Sequence, residues 1–205
     1  MNTLTNWGYM LVDTDGLPDM LDVSEYQLYS GRNDDVERVE AEISAACASI
    51  RNYVGWHLYP LCSCRLEAIA SDRRVIYNGP DMLVQLPARL VQAVSSVEID
   101  DVPCDHFYLD PSGTLRIFDT APKSRYSVIA IEYTAGLTDG LMAPIKELIA
   151  HRVTHAMAVP AGVVSEASGG VSVTYNANWI NNSRATALAG DNKELLSPYK
   201  VQGVF

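Results

Sequence analysis

The most informative part of the sequence runs from Ser127 to Tyr175. It comprises SVIAIEYTAG (127–136), LTDGLMAP (137–144), IKELIAHRVTHAMAVPAG (145–162) and VVSEASGGVSVTY (163–175). The first segment alternates apolar residues with period two, which indicates a strand. Pro144 suits the start of a helix, because its missing N–H is not needed there. We therefore predict a strand, a short loop, a helix and a hairpin-like loop at Gly169 and Gly170.

A second amphipathic helix, of about six turns, is predicted for residues 33–55. Asn33 is the expected cap, and the first turn carries acids that the helix dipole favours: Asp34, Asp35 and Glu37. Its apolar residues recur at three- and four-residue steps: Val36, Val39, Ile43, Cys47, Ile50 and Val54. A shorter helix is expected to begin at a capping box formed by Asp22 and Glu25.

Between these helices, short β-branched and apolar segments alternate with turn signals about every ten residues. This pattern predicts an antiparallel β module over residues 58–135. The predicted fold class is therefore α+β. It consists of a small helical bundle (22–57 and 136–190), the inserted β module, an extended N-terminal arm (1–21) and a C-terminal tail (191–205).

Charge and hydropathy narrow the class of protein. The chain has 205 residues and a formal net charge of −10, and residues 1–48 hold ten acids against two bases. A protein that binds nucleic-acid phosphates tightly needs a clustered basic face, and this charge distribution does not indicate one. The acids form either a face that repels DNA or simply a solvated surface. No apolar run approaches the roughly 18 residues of a membrane span, and the N-terminus does not resemble a signal peptide, so we predict an unsecreted, cytoplasmically made protein.

Cysteines and histidines provide weak candidates for a metal site. Cys62 and Cys64 are two residues apart, as are Cys104 and His106, so each pair could share one face of a strand, with His57 nearby. The spacing differs from the usual gap of zinc sites, and unpaired thiols in a reducing cytoplasm are the favoured interpretation. We predict no metal ion and no cofactor.

The sequence contains few residue patterns that indicate catalysis. His151 and His155 lie one helical turn apart, as the ligands of metalloproteases do, but Arg152 stands where the general-base glutamate is needed. We expect surface histidines there. The sequence has neither a phosphate-binding glycine loop followed by lysine nor a Gly-x-Ser-x-Gly nucleophile elbow. We predict that the protein is not an enzyme.

Three blocks of sequence resemble the head–tail connector (adaptor, or head completion) proteins of tailed bacteriophages. They are the helix end IRNYVGW (50–56), the stretch from Glu132 through the Pro144 helix to Tyr175, and LLSPYK (195–200). The third block has Lys200 where many members have arginine. Together the blocks cover about half of the chain in the order that the family shows.

The resemblance implies a virion structural protein with a helical bundle of connector type. Its subunits would form a homo-oligomeric ring, usually twelve-fold, below the portal and would join the capsid to the tail. One face would bind the portal protein and the other a tail or stopper component. Double-stranded DNA would pass through the centre, during genome packaging and ejection, without sequence-specific contact. Assembly would take place in the host cytoplasm, with no membrane partner.

The resemblance and the residues together give three expected surfaces. The portal-binding residues are Pro198, Tyr199, Lys200, Val201 and Phe205. The residues that line the DNA channel are Asp34, Asp35 and Glu37. The subunit contacts are Gly169, Gly170 and Tyr175. Two alternatives stay open: a small metal-dependent hydrolase that uses the Cys/His cluster or scattered carboxylates, and a non-viral protein-interaction module.

Overall fold

The computed structural model describes residues 3–12, 14, 16–118, 122–158, 165–168, 171–174 and 190–201. The chain divides into two compact units. The helical unit consists of Asp19–Tyr53 and Asp139–Pro198, and the β unit consists of Met1–Pro18, Val54–Thr138 and Tyr199–Phe205. Helices and antiparallel sheets are both present, so the predicted α+β class is confirmed.

Within the described residues, the helical unit has four α-helices: α1 (Val23–Ser30), α2 (Val36–Val54), α3 (Ala143–Ala158) and α4 (Gly190–Leu196). Short 3-10 turns lie at Asp139–Leu141 and Ser197–Tyr199. None of the helices in the described ranges has the length and hydropathy to cross a membrane. The unit also holds two short strands on either side of residues 169–170, numbered last along the chain as β11 (Ser165–Ser168) and β12 (Val171–Thr174). They pair antiparallel, as the predicted hairpin requires.

The predicted capping box at the start of α1 is confirmed. The Glu25 amide donates to Asp22 Oδ1 at 2.7 Å, and the Asp22 amide donates to Glu25 Oε2 at 3.3 Å. Glu25 also forms an ion pair with Lys146 of α3, which joins the two helices. Arg38 of α2 in turn donates to the Ala156 carbonyl of α3 at 3.1 Å.

Helix α2 differs from its prediction at the N-terminus. Asp35 is the cap, not Asn33, because its Oδ1 accepts from the Arg38 amide at 2.9 Å and the helix begins at Val36. Val36 is 48% exposed, so the buried stripe starts one turn later. The other five predicted apolar positions are buried: Val39, Ile43, Cys47, Ile50 and Val54.

The β unit contains two antiparallel sheets. The first has the order β1-β2-β3-β10-β6-β7, with strands Thr3–Leu4, Met10–Leu11, Cys62–Ile69, Val128–Ala135, Val91–Ile99 and Val102–Pro103. The second has the order β4-β5-β9-β8, with strands Val75–Asn78, Asp81–Gln85, Thr114–Ile117 and Phe107–Leu109. Strand β10 is central in the first sheet, where Ile131 is opposite Leu66 on one side and Val97 on the other. All three side chains are buried and form part of the core.

The N-terminal segment differs from the predicted extended arm. Strand β2 pairs with the edge of the sheet, with Leu11 opposite Cys64, and β1 pairs with β2. Tyr9 and Leu11 are fully buried, which holds the segment on the β unit. The two strands have only two residues each, too few to show an alternating pattern in the sequence.

Gly136 ends strand β10 in a position that only glycine fits. Its φ is +130°, and a Cβ built there would lie 2.3 Å from the carbonyl oxygen of Pro60 and 2.7 Å from Cα of Leu61. The next residue, Leu137, donates its amide to the Leu58 carbonyl at 2.8 Å. The end of the central strand therefore packs directly on the backbone of residues 58–61.

Candidate functional sites

The first turn of α2 holds the acids that we expected to line a DNA channel. Asp34 has local partners, because the Tyr26 hydroxyl donates to it at 2.7 Å and Arg32 Nε donates at 2.8 Å. The hydrogen bond from Arg32 is the main cause that holds the pKa of Asp34 below its ordinary value. Asp34 therefore fastens the α1–α2 connection.

Apart from the cap residue Asp35, the first two turns of α2 carry two exposed carboxylates, Glu37 and Glu40. Asp35 caps the helix, whereas Glu37 is exposed and has no local task of that kind. Glu40 is exposed on the same side, three residues further along. Glu40 was not among the residues predicted to line the channel, although a spacing of three residues from Glu37 places both on one side of a helix. Glu37 and Glu40 are named here the α2 acidic pair.

The start of the C-terminal tail is fixed to its own chain. The Trp56 indole Nε1–H donates to the Tyr199 carbonyl at 2.7 Å, and the Val201 amide donates to the Val54 carbonyl at 2.9 Å. Val201 is buried, so its side chain packs within its own subunit, whereas Pro198 and Lys200 are exposed. Among the five expected portal-binding residues, Phe205 lies outside the described residues.

A groove of about 450 Å³ lies beside Val201 in the β unit. Its walls combine an aromatic side chain, Trp7, with apolar residues of the segment after β5, Leu86 and Pro87. Arg74 also lines the groove and is paired with Asp72 at 3.0 Å. The groove is thus a mixed apolar and charged concavity next to the start of the tail.

A thiol–imidazole cluster forms at the opposite end of strand β3 from Ile69. The possible ligand atoms of His57, Cys62 and Cys64 all lie within 4.8 Å of one another, and Cys62 Sγ is 3.5 Å from His57 Nε2. Cys62 and Cys64 share one face of β3, as the alternation of a strand requires. His57 is fully buried and precedes the strand. Cys104 and His106 lie between β7 and β8 and are not part of this cluster.

The two thiols of the cluster have opposite tendencies to ionise. The hydrogen bond from Cys64 lowers the pKa of Cys62, and the same bond raises the pKa of Cys64, so that Cys64 keeps the proton. Burial also raises the pKa of Cys64, while the Ala135 backbone and the Tyr133 hydroxyl act in the other direction. Cys62 is therefore the more reactive thiol of the pair.

The two histidines of α3 lie next to each other without a third metal ligand among the described residues. His151 Nε2 and His155 Nε2 are 3.2 Å apart, and His151 is exposed. Burial and the nearby charge of His151 lower the pKa of His155. Within the described residues, no third histidine, cysteine or carboxylate joins them in a metal-sized group. Arg152, between them in sequence, points into the core and is 4% exposed.

The subunit contacts expected at Gly169, Gly170 and Tyr175 fall outside the described residues. Only the flanking strands β11 and β12 can be placed there.

Comparison with known proteins assigns the chain to a family. The sequence profile of the head completion protein (HCP) family matches residues 19–183, which include segments of both compact units. The chain therefore belongs to the head completion protein family. A search of curated proteins found no match.

Membership of this family defines the coarse function. The protein is a structural component of the bacteriophage virion, and the family is one of structural proteins, not of known enzymes. Completion of a head implies contact with components of the phage capsid or portal. The predicted resemblance to connector and head completion proteins is thus confirmed.

Proposed function

We propose that this head completion protein is an adaptor subunit that assembles into a ring, twelve-fold by resemblance, below the portal vertex. The ring joins the capsid to the tail and surrounds the path of the DNA. The observation that carries this proposal is the family match over residues 19–183. We assign residues 22–57 and 136–190 to a connector-type bundle and residues 58–135 to an inserted β module.

A closed ring of identical subunits needs two different, complementary surfaces on each subunit. The helical unit has exposed apolar side chains around the α1–α2 connection: Leu28, Tyr29 and Val36. Leu28 is 86% exposed, and a group of exposed apolar side chains is a feature of surfaces that bind another protein. The β unit has a second apolar surface, where Ile69 and Val128 are cross-strand partners and both are exposed. These two surfaces are our candidates for the contact between neighbouring subunits, together with Gly169, Gly170 and Tyr175.

The α2 acidic pair supports a channel that DNA passes without binding. Exposed carboxylates repel phosphates, so a duplex that passes them is not held in place. Among the acids predicted from the sequence, Glu37 keeps the channel-lining role, whereas Asp34 and Asp35 act mainly within their own subunit. Glu40 joins Glu37 in this proposal.

Portal binding is assigned to the C-terminal tail. Pro198 and Lys200 are exposed at the point where the tail is fixed by Tyr199 and Val201. The contacts of Tyr199 and Val201 fix the point on the subunit from which the tail continues. A tail that is anchored at one end loses less entropy when it binds a partner than a free one does.

Attachment to heads tests the proposal. Purified protein is mixed with DNA-filled heads that lack it, and the mixture is sedimented. We expect the protein to sediment with heads that contain portal and to reduce the leakage of DNA from them. Portal-free shells serve as the control and should not bind. Equal binding to both kinds of particle would contradict the adaptor position.

Charge reversal of the α2 acidic pair tests the channel. Glu37→Lys/Glu40→Lys places two cations where DNA is proposed to pass, so phosphates should be retained and ejection slowed several-fold, less so as salt is raised. Asp105→Lys reverses one exposed acid of the β unit, so it is compared with Glu37→Lys alone, and it should eject at the normal rate. Head attachment should be normal in all of these variants. Ejection of DNA at the wild-type rate by the double variant would contradict the proposal that α2 lines the channel.

A further inference from the structure

We propose that His57, Cys62 and Cys64 form a zinc-binding site in the β unit. This inference does not depend on ring formation or on the portal. It concerns a site within one subunit, and it changes the prediction of a metal-free protein that the spacing of the cysteines alone suggested.

The geometry of the cluster fits a tetrahedral ion. With Zn–S bonds of about 2.3 Å and Zn–N bonds of about 2.0–2.1 Å, a sulfur and a nitrogen ligand lie about 3.6 Å apart. Cys62 Sγ and His57 Nε2 are 3.5 Å apart, and Cys64 Sγ lies within 4.8 Å of both. Small side-chain rotations therefore bring all three atoms to bonding distance. Two thiolates and an imidazole select zinc over magnesium or calcium, which prefer oxygen ligands.

His57 can change its tautomer and keep its hydrogen bond with Tyr9, while it gives up the one with the Ala135 carbonyl. Its Nε2 is 3.0 Å from the Ala135 carbonyl, which can only accept, so Nε2 carries the proton when no metal is bound. Its Nδ1 is then an acceptor for the Tyr9 hydroxyl at 2.7 Å. When Nε2 binds zinc, the proton moves to Nδ1 and is donated to the same Tyr9 oxygen. A hydrogen bond of this kind on the other ring nitrogen is what orients histidine ligands in metal sites.

The surroundings of Cys64 provide donors for a thiolate. Tyr133 lies directly opposite Cys64 in the β3–β10 register, and its side chain is 1% exposed. Its hydroxyl has no hydrogen-bond partner among the described residues. A buried hydroxyl without an acceptor is costly. A zinc-bound thiolate at Cys64 would supply that acceptor.

The site would have a structural effect. A bound ion would connect His57, in the segment before β3, with Cys62 and Cys64 at the start of β3. This place is close to where Gly136 packs on residues 58–61. Cys62 is partly exposed, which gives an ion a route of entry. Binding to the two sulfurs as thiolates releases their thiol protons to solvent, while the imidazole stays neutral. Three protein ligands leave one coordination position for a solvent molecule.

Titration with Co²⁺ and Zn²⁺ tests the site on the full-length, reduced protein. We expect one ion per chain, with the intense visible bands of tetrahedral Co²⁺ and a sulfur-to-metal charge-transfer band, both displaced by Zn²⁺. Zinc at about 100 times its Kd should raise the Tm of the β unit by about 5–10 °C. Bound zinc should also protect two cysteines from alkylation.

Variants separate the cluster from other thiols. Cys62→Ser should lower the affinity for zinc on the order of 100-fold or more and remove the charge-transfer band, because a ligand is lost. Cys104→Ser, a partly exposed cysteine outside the cluster, should bind as the wild type does. The circular dichroism spectrum of metal-free Cys62→Ser should match that of the metal-free wild type. Binding of less than one ion per chain at micromolar zinc, octahedral Co²⁺ spectra, or equal loss of affinity in Cys104→Ser would overturn the proposal.

Discussion

Replacement of Gly136 by alanine is expected to lower the Tm of the β unit by about 6–20 °C, or to prevent its folding. The added Cβ would lie 2.3 Å from the Pro60 carbonyl oxygen and 2.7 Å from Leu61 Cα. Both contacts are with backbone, so no side-chain rotation relieves them. The φ of +130° adds strain for any residue with a Cβ. We expect the free energy of unfolding to fall by about 3–5 kcal/mol. For a chain of this size, each kcal/mol lowers the Tm by roughly 2–4 °C.

The matched control for this substitution is Gly140→Ala. Nothing lies within 4 Å of a Cβ built at Gly140, and its φ is not in the left-handed region. Its Tm should therefore change by no more than about 2 °C. Thermal unfolding followed by circular dichroism measures both variants. A Gly136→Ala protein as stable as Gly140→Ala would show that residues 58–61 do not pack on the end of β10 as described.

Two truncations of the C-terminus are expected to fail in different ways. Deletion of residues 198–205 removes the Tyr199 carbonyl that accepts from the buried Trp56 indole, and it removes the buried Val201 side chain. An unsatisfied buried N–H costs about 1–3 kcal/mol, and the lost burial of a valine about 1.5 kcal/mol or more. This protein should therefore unfold at a Tm lower by about 5–15 °C.

Deletion of residues 202–205 keeps both of these contacts. We expect this shorter truncation to retain the wild-type Tm but to lose attachment to portal-containing heads, because Phe205 and its neighbours are assigned to the portal. Thermal unfolding and co-sedimentation with heads are measured on the same preparations. If the 202–205 deletion still attaches at wild-type affinity, the tail beyond Val201 is not the portal anchor. If the 198–205 deletion has the wild-type Tm, the contact between Tyr199 and the Trp56 indole does not stabilise the protein.

Local signals in the sequence predicted α1, α2 and α3, but not α4, which lies almost entirely in the stretch predicted as a C-terminal tail. The capping box of Asp22 and Glu25 is a short-range pattern, and the structure reproduces it. The apolar spacing of α2 predicted its buried face for the same reason. The cap itself was assigned to Asn33 and is Asp35, because three polar residues in a row are all acceptable caps by type. Only the hydrogen bond to Arg38 decides among them.

Contacts between distant segments could not be predicted in this way. Strand alternation placed Cys62 and Cys64 on one face, but it could not show that His57 Nε2 lies 3.5 Å from Cys62 or that Tyr9 supports the ring. Tyr9 is 48 residues away from His57 along the chain. The bond between Trp56 and Tyr199 spans 143 residues. Such pairs follow from the topology of the sheet, which no local period in the sequence encodes.

Negative-stain electron microscopy of the full-length protein, alone and mixed with portal-bearing heads, distinguishes a ring-forming adaptor from a protein that decorates the shell. The adaptor proposal predicts closed rings with an open centre at the portal vertex, with twelve-fold symmetry in end-on class averages. Single subunits that decorate the shell at many places, or no attachment to the portal vertex at all, would contradict it.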